Sequence, residues 1–158
     1  MKLIETSSGE LVEATIVEME SNDFNKIKKG KGFVFDWLLE EKHDVYKICL
    51  KDEETKILGL LSLIDHPAEL RIHISLIEVI KEQVGREKTL DNIAGCLIGF
   101  ACGIAFRKGY EGFVSLLPKT RLIDLYQEKY GFRQYGRLLA LEHEQSKRVI
   151  YQYLGDEK

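Results

Sequence analysis

Between Glu69 and Ile80, the apolar residues Leu70, Ile72, Ile74 and Leu76 alternate with Arg71, His73 and Ser75. This is the period-two pattern of a half-buried strand. The alternation then breaks: Leu76 and Ile77 are adjacent apolar residues, and Glu78 falls in the buried register. One extra residue at Leu76 or Ile77 restores it and turns Glu78 to the face of Ser75, His73 and Arg71. That is how a β-bulge reads in sequence, and bulges bend strands and unpair backbone groups beside active sites. On that reading Arg71, His73, Ser75 and Glu78 form a polar row facing a cleft, with Glu78 the carboxylate best placed to move a proton. The plainer reading is a strand that ends at Leu76 or becomes buried on both faces.

Other residue patterns narrow the chemistry. Cys49, Cys96 and Cys102 lack CxxC spacing and sit in apolar segments, so they read as reduced core residues. His43, His66, His73 and His143 are scattered without ligand spacing, and no metal site is expected. "KKGKG" lacks the GxxxxGK[ST] spacing of a phosphate loop and reads as a solvated hinge. Gly95, Gly99 and Gly103 lie inside an otherwise helical stretch, where each costs roughly 1 kcal/mol relative to alanine. Spaced four apart, they form one narrow stripe free of side chains, which predicts a neighbour that needs close approach. The apolar run from Ile93 to Phe106 is shorter than the ~20 residues of a membrane span, so a membrane GxxxG dimer is not expected.

These residues need a scaffold. "LVEATIVEM" reads as a strand, and after "SND" the stretches "FNKIKKGKGF" and "FVFDWLLEEK" read as one or two short helical pieces broken at Gly30 and Gly32. "DVYKICLK", "KILGLLSLI" and "ELRIHISLIEVI" are strands whose short connections make them antiparallel neighbours. A helix is expected from Asp91 to Gly109, then the short strand "GFVSLL" and a helix in "KTRLIDLYQEKYG". "YGRLLALEH" and "RVIYQYL" are expected to close the chain as a hairpin around "EQSK". The expectation is a single α/β (α+β) domain over 1–158, with a mixed, mostly antiparallel sheet of about six to seven strands and helices on both faces.

A net charge of -3 gives no electrostatic footprint for nucleic acid or a membrane surface, and mildly favours a cationic partner. The N-terminus has no apolar h-region, so a cytoplasmic protein is expected. The C-terminal strands leave a homodimer open.

The order of bulged strand, Gly/Ala-rich helix, short strand and helix ending "LYQEKYGF" resembles the GCN5-related N-acetyltransferase (GNAT) family from about Val45 to Phe132. "LYQEKYGF" is similar to that family's "FYxKxGF" segment, and "CLIGFACGIAFRKGY" to its cofactor-side helix. The resemblance implies acetyl-CoA as co-substrate, with pantetheine against Ile77, Glu78, Val79 and Ile80 and pyrophosphate against the loop from Val84 to Ala94. A helix start suits a phosphate on physical grounds, because it offers orphan N–H donors and a partial positive charge. Counted back from Leu97 and Ile98, the family's [QR]xxGxG/A pattern lands on Thr89, Asn92 and Ala94, next to Ile93. Asn92 replaces a glycine but tolerates positive φ. Arg86 and Lys88 stand near enough to supply the charge that Thr89 lacks, while Asp91 as a helix cap would compete for the phosphate donors. Lys119 replaces the family's asparagine and is within reach of a CoA phosphate. The general acid falls on Tyr126, for which core packing with Leu122 and Tyr130 is the competing reading.

The resemblance implies direct transfer of an acetyl group to a primary amine of a small molecule or peptide. Glu78 would accept the ammonium proton, backbone N–H near Val79 would polarise the thioester carbonyl, and Tyr126 would protonate the thiolate. In this reading the glycine stripe faces the splayed sheet or the pantetheine arm. Two other readings stand beside it. One is a non-catalytic module that keeps the fold and binds CoA or another ligand; the other is an interaction protein whose glycine stripe packs a partner helix. The acceptor is not legible; "GKGFVFDWLLEE" offers only an aromatic wall, Phe33, Phe35 and Trp37, with acidic neighbours.

Overall fold

The computed structural model describes residues 1–27, 32–118 and 122–155. Strands β1 (Lys2–Glu5), β2 (Leu11–Glu18), β3 (Asp44–Leu50), β4 (Gly59–His66) and β5 (Arg71–Val79) form an antiparallel meander. The two-residue β6 (Leu90–Asp91) pairs back onto β1. Helix α2 (Ile93–Arg107) then crosses over to β7 (Val114–Leu116), which lies parallel to β5. Parallel neighbours require such a crossover. Strands β8 (Arg133–Tyr135) and β9 (Leu138–Leu141) complete a nine-stranded sheet in the order β6-β1-β2-β3-β4-β5-β7-β9-β8.

Helices cover both faces. Leu61, Ile72 and Ile74 meet Leu97, Ile98 and Ala101 of α2 on one side. On the other, Val45, Leu60 and Ile80 bury Phe24 of α1 (Ser21–Ile27) together with Phe33 and Trp37, the last opening a 3₁₀ turn (Trp37–Glu40). This is the expected mixed, mostly antiparallel architecture, with nine strands where six to seven were expected. The additional strands β1, β6 and β8 are only two to four residues long, too short for a hydrophobic period to register.

The C-terminus corrects the sequence reading. The closing hairpin is β8–β9, turning at Gly136 and Arg137. "RVIYQYL" is instead part of a helix, α4 (His143–Leu154). Its buried residues Ser146, Val149 and Tyr153 recur at helical spacing, which the β-branched pair Val149–Ile150 obscured. Helix α4 runs antiparallel to α2 and occupies the glycine stripe. A Cβ at Gly95 would clash with the edge of the Tyr153 ring, and one at Gly99 would meet Leu154 Cγ at 3.3 Å. At Gly95 and Gly99 the stripe therefore faces α4, not the sheet, a pantetheine arm or a partner helix.

Candidate functional site

Strand β5 carries a bulge one residue before the expected position. Ser62 pairs with Leu76 and Leu63 with Ile74, so Ser75 is the unpaired residue. The extra residue reverses the direction of the backbone amides. Before it, Ile72 N–H donates to Phe113 O, beside β7; after it, Ile80 N–H donates to Leu58 O, beside β4. Because amides alternate along a strand, those of Ile77 and Val79 point away from β4. Pairing with β7 ends at Ile74–Leu116, so these donors face the opening where β5 and β7 part. A cleft of about 480 Å³ fills that opening, bounded by Ser75, Ile77, Glu78 and Val79 on one wall and Leu116, Pro118, Leu122 and Tyr126 on the other.

The Glu78 carboxylate points to the face carrying the 3₁₀ turn, where it already has three partners. It accepts N–H donors from Val34 at 2.6 Å, Phe35 at 3.3 Å and Trp37 Nε1 at 2.8 Å. Glu78 thereby ties the Val34–Trp37 segment to the cleft; Val34 and Phe35 line it, while Phe33 and Trp37 are core. On the same side the Ser75 hydroxyl donates to Glu40 Oε1 at 2.7 Å. Neither Glu40 nor Glu78 has a cationic partner among the described residues.

Tyr126 begins a π-helical segment (Tyr126–Tyr130) that follows the single turn α3 (Ile123–Leu125). Its ring packs edge-on to Phe132, with centroids 5.5 Å apart, and burial raises the pKa of its hydroxyl. The Tyr126 ring is packed against the core and also lines the cleft.

Arg71 and His73 are not brought into this cleft. They lie where β5 and β7 are still paired, and the Arg71 guanidinium donates to the hydroxyl of Ser115 at 2.7 Å. His73 Nδ1 stands 2.9 Å from that hydroxyl and 3.2 Å from Arg71 Nη1. Burial first, then the nearby charges of Arg71 and His66, lower the His73 pKa to about 4. Of the expected polar row, only Ser75 and Glu78 line the cleft. Lys119 lies outside the described residues.

The loop before α2 is a built structure. Gln83 is buried; its Oε1 accepts the N–H groups of Thr89 and Leu90, and its Nε2 donates to Thr89 Oγ1. Local pattern gave no sign of Gln83. Asn92 adopts φ 76°, in keeping with its tolerance of the left-handed region, and makes no side-chain cap to the helix. Asp91 accepts from Lys88 Nζ at 3.0 Å and from the Asn92 N–H at 2.9 Å, and the Lys88 bond holds its carboxyl below the usual range. Asp91 is therefore not the helix cap, and the first-turn amides of Ile93 and Ala94 keep no side-chain acceptor from the cap residue. Arg86 is exposed.

All three cysteines are buried, the Cys96 thiol donates to Tyr153 O at 3.5 Å, and burial pushes the Cys102 thiol up to about 12, so it holds its proton. Among the described residues no group of three His, Cys, Asp or Glu is arranged to hold a metal, and no helix is long and apolar enough to cross a membrane.

No protein-family model and no curated protein matches the chain by sequence. Solved structures do match its fold. A chimera of the spermidine N-acetyltransferase SpeG from Vibrio cholerae and hSSAT superposes with a TM-score of 0.62 at 19% identity, covering 87% of this chain and 98% of the other. An acetyltransferase of the GNAT family from Staphylococcus aureus Mu50 gives 0.57 at 11% identity, with coverages of 82% and 98%. AtaTR, solved with acetyl-CoA bound, gives 0.59 at 11% identity, with coverages of 87% and 98%. At these identities the likeness is one of architecture, and it agrees with the bulged, splayed β5: the chain has the fold of the GNAT acetyltransferases.

Proposed function

We propose that the protein transfers an acetyl group from acetyl-CoA to a primary amine. The observation that carries this reading is the splay of β5 from β7, which aims the Ile77 and Val79 amides into a cleft closed on its far side by Tyr126.

Acetyl-CoA supplies an activated acyl thioester, and the residues present fit its parts. The β5 amides suit a pantetheine amide and the thioester carbonyl, where developing negative charge is stabilised by preorganised donors. The α2 start, with Asn92 in the left-handed region, Ile93 and Ala94 at its first turn and Thr89, Lys88 and Arg86 beside it, suits the pyrophosphate. In this proposal Lys119 serves a CoA phosphate. Tyr126 holds its proton at neutral pH and donates it to the departing thiolate. Glu78, fixed by its three donors, presents negative charge to the incoming ammonium. The site works by holding reactants in line, and no covalent nucleophile is needed.

A ligand-binding module without turnover is the second reading, favoured by the Lys88–Asp91 pair and the Gln83–Thr89 bonds that occupy the loop's polar groups. Thermal unfolding with acetyl-CoA separates the readings. At ~100 times its dissociation constant a ligand adds ~2.7 kcal/mol, a rise of roughly 5–10 °C at this chain length. No shift at millimolar acetyl-CoA refutes the proposal. A shift without thiol release across a panel of primary amines favours the binding module.

A further inference from the structure

Ser75 combines two properties that no other residue of β5 shares. It is the bulge residue, set out of the ladder with its side chain against the cleft, and its hydroxyl already donates to a carboxylate. That carboxylate, Glu40, comes from the 3₁₀ turn on the neighbouring face, is half-buried and has no other side-chain partner or cation among the described residues. Glu78 is in the opposite condition, because three N–H donors already occupy its carboxylate. A group whose lone pairs hold a loop in place is a poor proton acceptor, since taking the proton means giving up one of those bonds.

Resting on the acyl-transfer reading above, we infer that the ammonium proton of the acceptor leaves through Ser75 to Glu40, rather than to Glu78. The Ser75 Oγ lone pair takes one ammonium proton as the hydroxyl's own proton passes over the 2.7 Å bond to Glu40 Oε1. One substrate N–H bond breaks, its electron pair stays on nitrogen and that pair attacks the thioester carbonyl. As the C–S bond breaks Tyr126 protonates the thiolate, and the second N–H proton, acidic on the cationic adduct, replaces the one Tyr126 gave. Glu40 starts as carboxylate, ends as carboxylic acid and returns the proton to water from its half-exposed position. Ser75 is unchanged over the cycle. Glu78 is then a positioning residue that shapes the Val34–Trp37 wall and supplies field.

The deprotonation assigned to this relay, which precedes attack, is needed only when the acceptor arrives protonated. The test is thiol release from acetyl-CoA by the full chain with two matched amines: ethylamine, an ammonium at neutral pH, and the weakly basic aminoacetonitrile, already mostly free amine. Glu40→Gln and Ser75→Ala are each expected to lower kcat/KM for ethylamine by about 100-fold and for aminoacetonitrile by no more than about twofold. Acetyl-CoA should still stabilise both variants against heat, which shows that they are folded. Equal losses with both amines, or no loss with ethylamine, overturn the relay. If the unmodified protein is stabilised by acetyl-CoA but releases no thiol with either amine, the relay fails while cofactor binding stands. If acetyl-CoA gives no stabilisation, the acyltransferase reading fails as well.

Discussion

The glycine stripe of α2 makes a graded prediction, because Gly95 and Gly99 meet α4 at different distances and Gly103 does not meet it. In a helix interior Gly→Ala gains about 0.8–1 kcal/mol from propensity alone. At Gly103 a Cβ would meet only the mobile guanidinium of Arg107, at 3.4 Å, so the gain should survive. Gly103→Ala is expected to raise Tm by roughly 2–4 °C. At Gly99 the Cβ would sit 3.3 Å from Leu154 Cγ and 3.6 Å from the Val149 carbonyl oxygen, so a shift of a few tenths of an ångström offsets the gain and Tm should change little. A leucine at Gly99 has no such room and should cost about 1–3 kcal/mol by overpacking. At Gly95 the Cβ would overlap the Tyr153 ring, with Cζ at 2.7 Å. That ring is buried and packs on Tyr130, centroids 5.8 Å apart, so it cannot swing clear. Overpacking then outweighs propensity, for a net loss of about 1–2 kcal/mol in Gly95→Ala. Scanning calorimetry or circular dichroism reads all three. In a Tyr153→Ala background Gly95→Ala should become favourable, with a coupling energy above about 1 kcal/mol. If Gly95→Ala stabilises as much as Gly103→Ala, α4 is not seated on α2 and the account of the stripe is wrong.

Two further outcomes follow from half-buried polar groups. The His73 pKa is lowered to about 4 in the fold against 6.5 free, so its neutral form is the folded one, and stability present above about pH 6.5 is lost as pH falls toward 4. Discounted for partial exposure, the loss is about 1–2 kcal/mol; His73→Gln should flatten the acid limb of Tm against pH by that amount, and an unchanged limb counts against the burial argument. Glu78→Ala removes the acceptor of the Trp37 indole and of two backbone amides. Trp37 is the only tryptophan, so its emission should shift to the red while stability falls by about 1–3 kcal/mol; identical emission and Tm would remove Glu78 from its place as anchor of the Val34–Trp37 segment.

What local sequence carries, and what it omits, divides along a physical line. Period-two alternation is a one-strand property, so the parity break between Leu76 and Glu78 announced a bulge, although only the pairing partners put it at Ser75. The positive φ of Asn92 was legible for the same reason, because conformational tolerance belongs to the residue itself. The glycine stripe signalled a close neighbour but could not name it, since α4 lies some fifty residues further along the chain and its β-branched pair resembled a strand. The candidate site depended most on contacts across the chain. Glu78 was visible as a carboxylate on a polar face, but its three donors come from 41 to 44 residues away. Glu40 reaches Ser75 across 35 residues, and Arg71 and His73 turn to Ser115 across more than 40. Sequence by itself determined which strand bends and which residues are polar on it. Only the tertiary structure decided which of those polar groups were already spent on one another, because hydrogen-bond partners distant in sequence leave no periodic trace.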